Sequence, residues 1–219
     1  MTKDDSLVIL YEDNHILAIE KPPGLLSQKD YTNDLDVTVL AKKYLKEKYH
    51  KPGDVYLGLI HRLDRPVGGV MILAKTSKAA SRLSEDIRNR QFHKIYLGLV
   101  EGEIKEDGTI ELALKKDEVT RTAYVDETGK NSQLIYHPLK TRDHKTLMEI
   151  NLLTGRFHQI RLSFASIGHP IVNDEKYHAS KRTSNDPIYL WCHLIKFRHP
   201  VSKEWIEVKS MPLQWPLMK

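Results

Sequence analysis

The sequence predicts an α+β fold: one large mixed sheet, mostly antiparallel, with a few flanking helices. Three observations lead there. Between about residues 93 and 153, strand-like segments follow one another with turn residues between them, and no helical segments alternate with them as βαβ units would require. Apolar residues recur at helical spacing in only three stretches, near residues 37–49, 76–90 and 154–168. No repeat, low-complexity tract or long Pro/Gly/Ser linker divides the chain, so residues 1–219 are expected to form a single domain.

The elements follow in order. Leu7–Tyr11 reads as a short strand, Asp13-Asn14 as a turn and His15–Ile19 as a second strand. Pro22 and Pro23 stop it, because neither can donate a ladder hydrogen bond. Val37, Ala41, Tyr44 and Leu45 mark a helix over Val37–Tyr49, with Lys42, Lys43 and Lys46 on its solvated face. The apolar run Val70–Ala74 reads as a buried strand, and Thr76 or Ser77 caps a helix running to about Arg90. "KIYLGLVEG" is a strand, and "EDGT" (Glu106–Thr109) is expected to be a hairpin turn leading to "IELAL". "TRTAYVD" and "SQLIYHPLK" are expected to pair around a turn at Glu127-Thr128-Gly129, and "KTLMEINLL" is a further strand.

The last helix carries a stripe of Phe157, Ile160, Phe164 and Ile167, with Thr154 as its expected N-cap and Gly168 as its stop. His158 and Arg161, three apart, share a face beside that stripe. A polar loop from His178 to Asp186 precedes two final strands, "IYLWCHLI" and "EWIEV", joined by "HPVSK".

Composition narrows the class. The chain is long enough to bury a core without disulfide or metal staples, and its 29% charged and 40% hydrophobic content is ordinary for a globular protein. Its apolar runs are strand-sized, far short of the roughly 20 residues that cross a bilayer. The N-terminus shows no secretory signal pattern, and a single cysteine, Cys192, excludes an internal disulfide and fits a reducing cytoplasm. A net charge of +5 leans toward a polyanionic partner such as nucleic acid, although a basic protein need not have one.

Most chemical signatures are missing. There is no His-Glu-x-x-His helix, no cysteine pair, no phosphate loop, no dinucleotide fingerprint and no Gly-x-Ser-x-Gly elbow. One feature stands apart. In "HRLDRPVGG", His61–Gly69, Asp64 lies between Arg62 and Arg65. Neighbouring cations keep a carboxylate ionised, which suits a nucleophile better than a general acid. The same pattern also describes a turn aspartate held in structural salt bridges.

"HRLDRPVGG" resembles the signature of the RluA family of pseudouridine synthases, His-Arg-Leu-Asp followed by two variable residues and Thr-Ser-Gly. Other segments match in the family's order: "YEDNHILAIEKPPGLLSQ" with its Lys-Pro-x-Gly, "HKIYLGLVEG", and "TGRFHQIRLSFASIGHPIVNDEKY" (Thr154–Tyr177) with Gly-Arg-x-His-Gln-Ile-Arg, Gly-His-Pro-Ile and Asp-x-x-Tyr. The resemblance runs from about Leu7 to Val208. It implies the pseudouridine synthase fold with a central RNA-binding cleft, and an isomerase of uridine in ribosomal or transfer RNA. By direct match Asp64 is the nucleophile, Tyr96 the tyrosine that lies against the target uracil, and Arg161 the arginine that pairs with the aspartate. Arg62 matches the arginine that takes the place of the flipped base. With Ile160, which would pack near the base, and His61, it is expected to bind substrate. Lys21 and Pro22 match a motif of structural character.

The resemblance implies no metal, redox cofactor or external energy source. RNA is the expected partner, the membrane is not, and the default is a cytoplasmic monomer. The first motif begins so near the start that no S4-type RNA-binding domain is expected ahead of it. One departure stands out: Val67-Gly68-Gly69 replaces Thr-Ser-Gly, removing two hydroxyls beside the aspartate. A non-catalytic RNA-binding protein on a synthase scaffold is the alternative. A sugar hydrolase would need a partner acid, and neither Glu20 nor Asp174 has motif support for that role.

Overall fold

A computed structural model describes residues 7–180 and 187–218, so the polar loop expected at His178–Asp186 lies mostly outside the described residues. The described chain contains eleven strands and three α-helices, an α+β composition. It divides into two compact units, the first taking residues up to Phe92 and Cys192–Met211, the second His93–Trp191 and the chain from Pro212 onward.

In the first unit β1 (Val8–Glu12), β2 (Ile16–Lys21), β4 (Gly68–Ala74) and β10 (Leu190–Arg198, all but its first two residues) lie side by side in that order. The short β3 (Gly58–Leu59) pairs with β4, and β11 (Trp205–Lys209) with β10. Asp13 makes the β1–β2 turn, its Oδ1 accepting from the backbone N–H groups of His15 at 2.7 Å and Ile16 at 2.8 Å. β4 is buried along its whole length, so a near-continuous apolar run suits it better than alternation. Leu17, Ile19, Met71 and Leu73 pack against Val37, Ala41 and Leu45 of α1 (Val37–Lys48). Each of these side chains larger than alanine stabilises the fold by about 1.5–3 kcal/mol.

Asp36 caps α1, accepting from Thr38 N at 2.7 Å and Val39 N at 3.1 Å. Thr76 caps α2 (Ser77–Arg88) through Ala79 N at 3.1 Å. The cap residue makes the difference at both starts, since neither helix has an acidic residue in its first turn to complement the dipole.

The second unit orders its strands β5 (His93–Glu101), β9 (Lys145–Leu152), β8 (Lys130–Arg142), β6 (Gly108–Asp117) and β7 (Thr122–Val125), all antiparallel. Leu97, Leu99, Leu147, Val172, Trp191, Trp215 and Leu217 form a core cluster there. Two pairings differ from the sequence expectation. "EDGT" does not close a β5–β6 hairpin, because β9 and β8 stand between those strands. The turn at 127–129 does not pair β7 with β8; both strands pair with β6 instead. The second turn exists, as the Gly129 N to Asp126 O bond of 2.8 Å shows, whereas Gly108 and Thr109 of the first already belong to β6. Turn chemistry is local, whereas the choice of neighbour depends on side-chain packing between strands far apart in sequence.

α3 (Gln159–Ser166) starts four residues later than a Thr154 cap requires. Thr154 Oγ1 instead accepts from Gln133 N at 2.8 Å and meets Gln159 Oε1 at 2.9 Å. His158 takes the cap position in a left-handed conformation, φ 51°. Ile160 and Phe164 are buried as the stripe requires, while Ile167 at the helix end is exposed. Gly168, φ +80°, supplies the left-handed stop, with His169 N reaching back to Phe164 O at 3.0 Å.

Candidate active site

The Asp64 loop is built by the first unit alone. Asp64 is half-buried between exposed Arg62 and Arg65, just before β4. Its own carbonyl accepts from Val67 N at 3.0 Å, closing a four-residue turn by backbone alone. No hydroxyl is needed for that bond, so Val67 can stand where the family has threonine. Gly69 explains the last position of the motif. Its φ is +114°, and a β-carbon there would meet the Cys192 backbone nitrogen at 2.6 Å. Cys192 itself is fully buried.

Three side chains hold this loop. Ser27 Oγ donates to Leu63 O at 2.7 Å and accepts from Leu63 N at 3.1 Å, satisfying both backbone groups of the residue before Asp64. Arg65 turns away to Gly24, its Nε donating to the carbonyl at 3.1 Å, and to Asp34 at 2.8 Å. Lys21, 0% exposed, donates from Nζ to the carbonyls of Pro22 at 3.1 Å, Leu25 at 2.7 Å and Arg65 at 3.2 Å. An ammonium has three donors, and each has a partner here. Burial pulls the Lys21 ammonium down to about 7; the Asp64 charge pushes it up and Arg65 pulls it down further. His61 is half-buried, and its Nε2 accepts from Ile72 N at 3.0 Å, which seats the ring against β4.

The other expected residues belong to the second unit. Tyr96 is buried on β5, opposite Ile150 of β9. Ile160 and Arg161 are buried in the first turn of α3. Arg161 is gripped by Asp174, from Nε to Oδ2 at 2.6 Å and from an Nη to Oδ1 at 2.7 Å. Both side chains are out of solvent, at 5% and 1% exposure. The guanidinium lies over the Tyr177 ring, 5.0 Å from its centroid. Tyr177 is fixed in turn: its hydroxyl accepts from Ala123 N at 2.6 Å and shares a 2.8 Å hydrogen bond with His158 Nδ1. His158 and Arg161 both meet Tyr177, although His158 stands at the cap in a left-handed conformation and not on the helix face that their spacing predicts. Burial, with the Arg161 and Lys176 charges beside it, holds His158 down to about 3, so its ring is neutral near pH 7.

Sequence reasoning missed Lys21 as a neighbour of Asp64 and missed Asp174 as the partner of Arg161. The second was signalled by the Asp-x-x-Tyr spacing of Asp174 and Tyr177, which a short helical turn at Glu175–Tyr177 brings to bear on one guanidinium. Among the described residues no group of three or more His, Cys, Asp or Glu side chains is gathered as metal ligands would be.

A family model described as RNA pseudouridylate synthase matches residues 15–166, well over half of the chain. The chain is 34% identical over 214 residues to an uncharacterised RNA pseudouridine synthase of Aquifex aeolicus, covering 90% of this chain and 67% of that one. It is 32% identical to the dual-specificity RNA pseudouridine synthase RluA of Pasteurella multocida, over 95% of this chain and 94% of the other. Among solved structures, human RNA pseudouridylate synthase domain containing 1 superimposes with a TM-score of 0.77 at 22% identity, over 100% of this chain and 89% of that one, a likeness of fold. The chain belongs to the RNA pseudouridylate synthase family, isomerases that convert uridine in RNA to pseudouridine.

Proposed function

We propose that the protein isomerises specific uridines in structured ribosomal or transfer RNA, with Asp64 as the nucleophile. The observation that carries this reading is the Asp64 loop: a half-buried carboxylate on a tied-down turn, inside a motif that matches the family's catalytic one. The names of relatives support the substrate class. They include a large-subunit ribosomal synthase of Vibrio parahaemolyticus, 31% identical, and a tRNA synthase of Haemophilus ducreyi, 29% identical. We take residues 1–219 to act as one catalytic domain, in the cytoplasm and as a monomer. No helix among the described residues is long and apolar enough to cross a membrane.

Uridine and pseudouridine are isomers, so the reaction consumes no oxidant, reductant or energy carrier. The N-glycosidic bond breaks, the base turns, and a carbon–carbon bond to the same ribose forms as the base carbon gives up its proton. The target must first leave its stack, at a cost of a few kcal/mol. An ionised Asp64 serves each available route: attack on the ribose, attack on the base, or removal of a ribose proton. Tyr96 contacts the base and relays a proton, Ile160 packs near it, Arg62 and His61 engage the RNA, and Arg161 serves the aspartate. Asp64→Asn abolishes product formation while leaving RNA binding nearly intact, as release of the C5 tritium label of uridine and a filter-binding titration would measure. Undiminished product from that variant would overturn the nucleophile assignment. RNA binding without turnover by the unaltered protein would favour a non-catalytic RNA-binding role.

A further inference from the structure

We infer that Asp174, backed by Tyr177, is a positioning residue for the reaction: it fixes the one guanidinium that the motif assigns to the catalytic aspartate. The inference rests on the proposed role of Arg161, and goes beyond it by naming what holds that arginine. Both residues lie outside the span matched by the family model, which ends at residue 166.

The argument begins with freedom. An arginine side chain in water samples many rotamers, and a charge-stabilising group is useful only when its direction is set before reaction. Here the fork of Asp174 takes Nε and one Nη in parallel, the geometry that fixes the guanidinium plane as well as its place. The guanidinium carbon lies over the Tyr177 ring, 5.0 Å from its centroid. Tyr177 cannot slide, because β7 holds its hydroxyl through Ala123 N and the α3 cap holds it through His158. His158 is neutral, so it adds no positive charge that would repel Arg161. A strand, a helix cap and a short helical turn thus converge on one side chain.

Stability is a poor reason for such a pair. A buried ion pair recovers only part of its desolvation cost, and well-packed apolar residues often serve as well. An arginine needs a carboxylate at this depth only if the arginine itself must be there. The arginine also keeps its charge at any pH where RNA is intact, because a guanidinium does not titrate there.

A double-mutant cycle separates this from a plain structural role. The four proteins are the unaltered chain, Asp174→Asn, Arg161→Met and the double variant, each checked for folding by circular dichroism and assayed on a uridine-containing RNA transcript. Asp174→Asn lowers kcat on the order of 100-fold, the effect of small misplacement of a reacting or charge-bearing group, with KM for RNA little changed. The double variant has the same kcat as Arg161→Met alone, because Asp174 has nothing left to position. If Asp174→Asn does not fold, the double variant, which buries no lone guanidinium, still gives that comparison. A folded Asp174→Asn with full kcat overturns the inference, as does a double variant well below Arg161→Met. If Arg161→Met keeps full turnover, the Arg161 assignment has failed and this inference falls with it. An impaired Arg161→Met beside a normal Asp174→Asn sinks the inference alone.

Discussion

Two buried cations, one in each unit, are satisfied in opposite ways. Lys21 gives its three protons to three backbone carbonyls and meets Asp64 only through space. Arg161 gives two of its donors to one carboxylate. Carbonyl dipoles hold an ammonium in place but do not neutralise it, so burial drags the lysine toward neutrality. A carboxylate neutralises the guanidinium outright. The lysine therefore ties a loop together and carries a conditional charge, while the arginine carries a fixed one.

Removing the tie tests this contrast most strongly. Lys21→Met strips the Leu25 carbonyl of its donor and loosens the turn before β4, whereas Arg65 O keeps its bond from Gly24 N at 2.7 Å. About 2 kcal/mol of stability should be lost, as expected for one buried acceptor left without a partner. Urea denaturation would measure it, and an unchanged midpoint would mean that Ser27 and Arg65 suffice.

Alkaline stability sharpens the contrast. Lys21 sits near 7 in the folded protein against an ordinary 10.5. Between those values the unfolded chain holds a proton that the folded chain has released, so stability rises with pH across that window. The rise should be present in the unaltered protein and reduced in Lys21→Met. Equal slopes in the two proteins would contradict a depressed lysine.

The smallest effect belongs to the arginine's side. His158 lies near 3 in the fold against an ordinary 6.5, and its contribution is complete above 6.5 and lost as the pH falls toward 3. His158→Asn keeps a residue that tolerates the left-handed backbone and should flatten this acid limb. Matching acid limbs would place the titrating group elsewhere.

Most elements were legible because their signals are local. Thr76 and Gly168 act on the few residues beside them, and the burial of β4 is written in its own apolar run. The loop around Asp64 was legible as a motif, but what ties it down was not: Lys21 is 44 positions from Arg65 and looks in sequence like any lysine before a proline. Partner choice among β5 to β9 was hidden for the same reason, since a turn at Asp126–Gly129 records that the chain reverses and not which strand it rejoins. Asp174 was visible as a letter in a spacing pattern. Its work became visible only with the fork it makes to Arg161.

The crowding of Gly69 against Cys192 has a practical consequence. The sequence has one thiol, and it is sealed where the strand behind the Asp64 loop presses on the backbone of β10. An aqueous alkylating reagent can reach that sulfur only when this part of the protein opens, so the rate of labelling reports the opening free energy at that position. The protein carries its own probe of how rigidly the Asp64 loop is held, without an introduced dye or a second cysteine to confuse the signal.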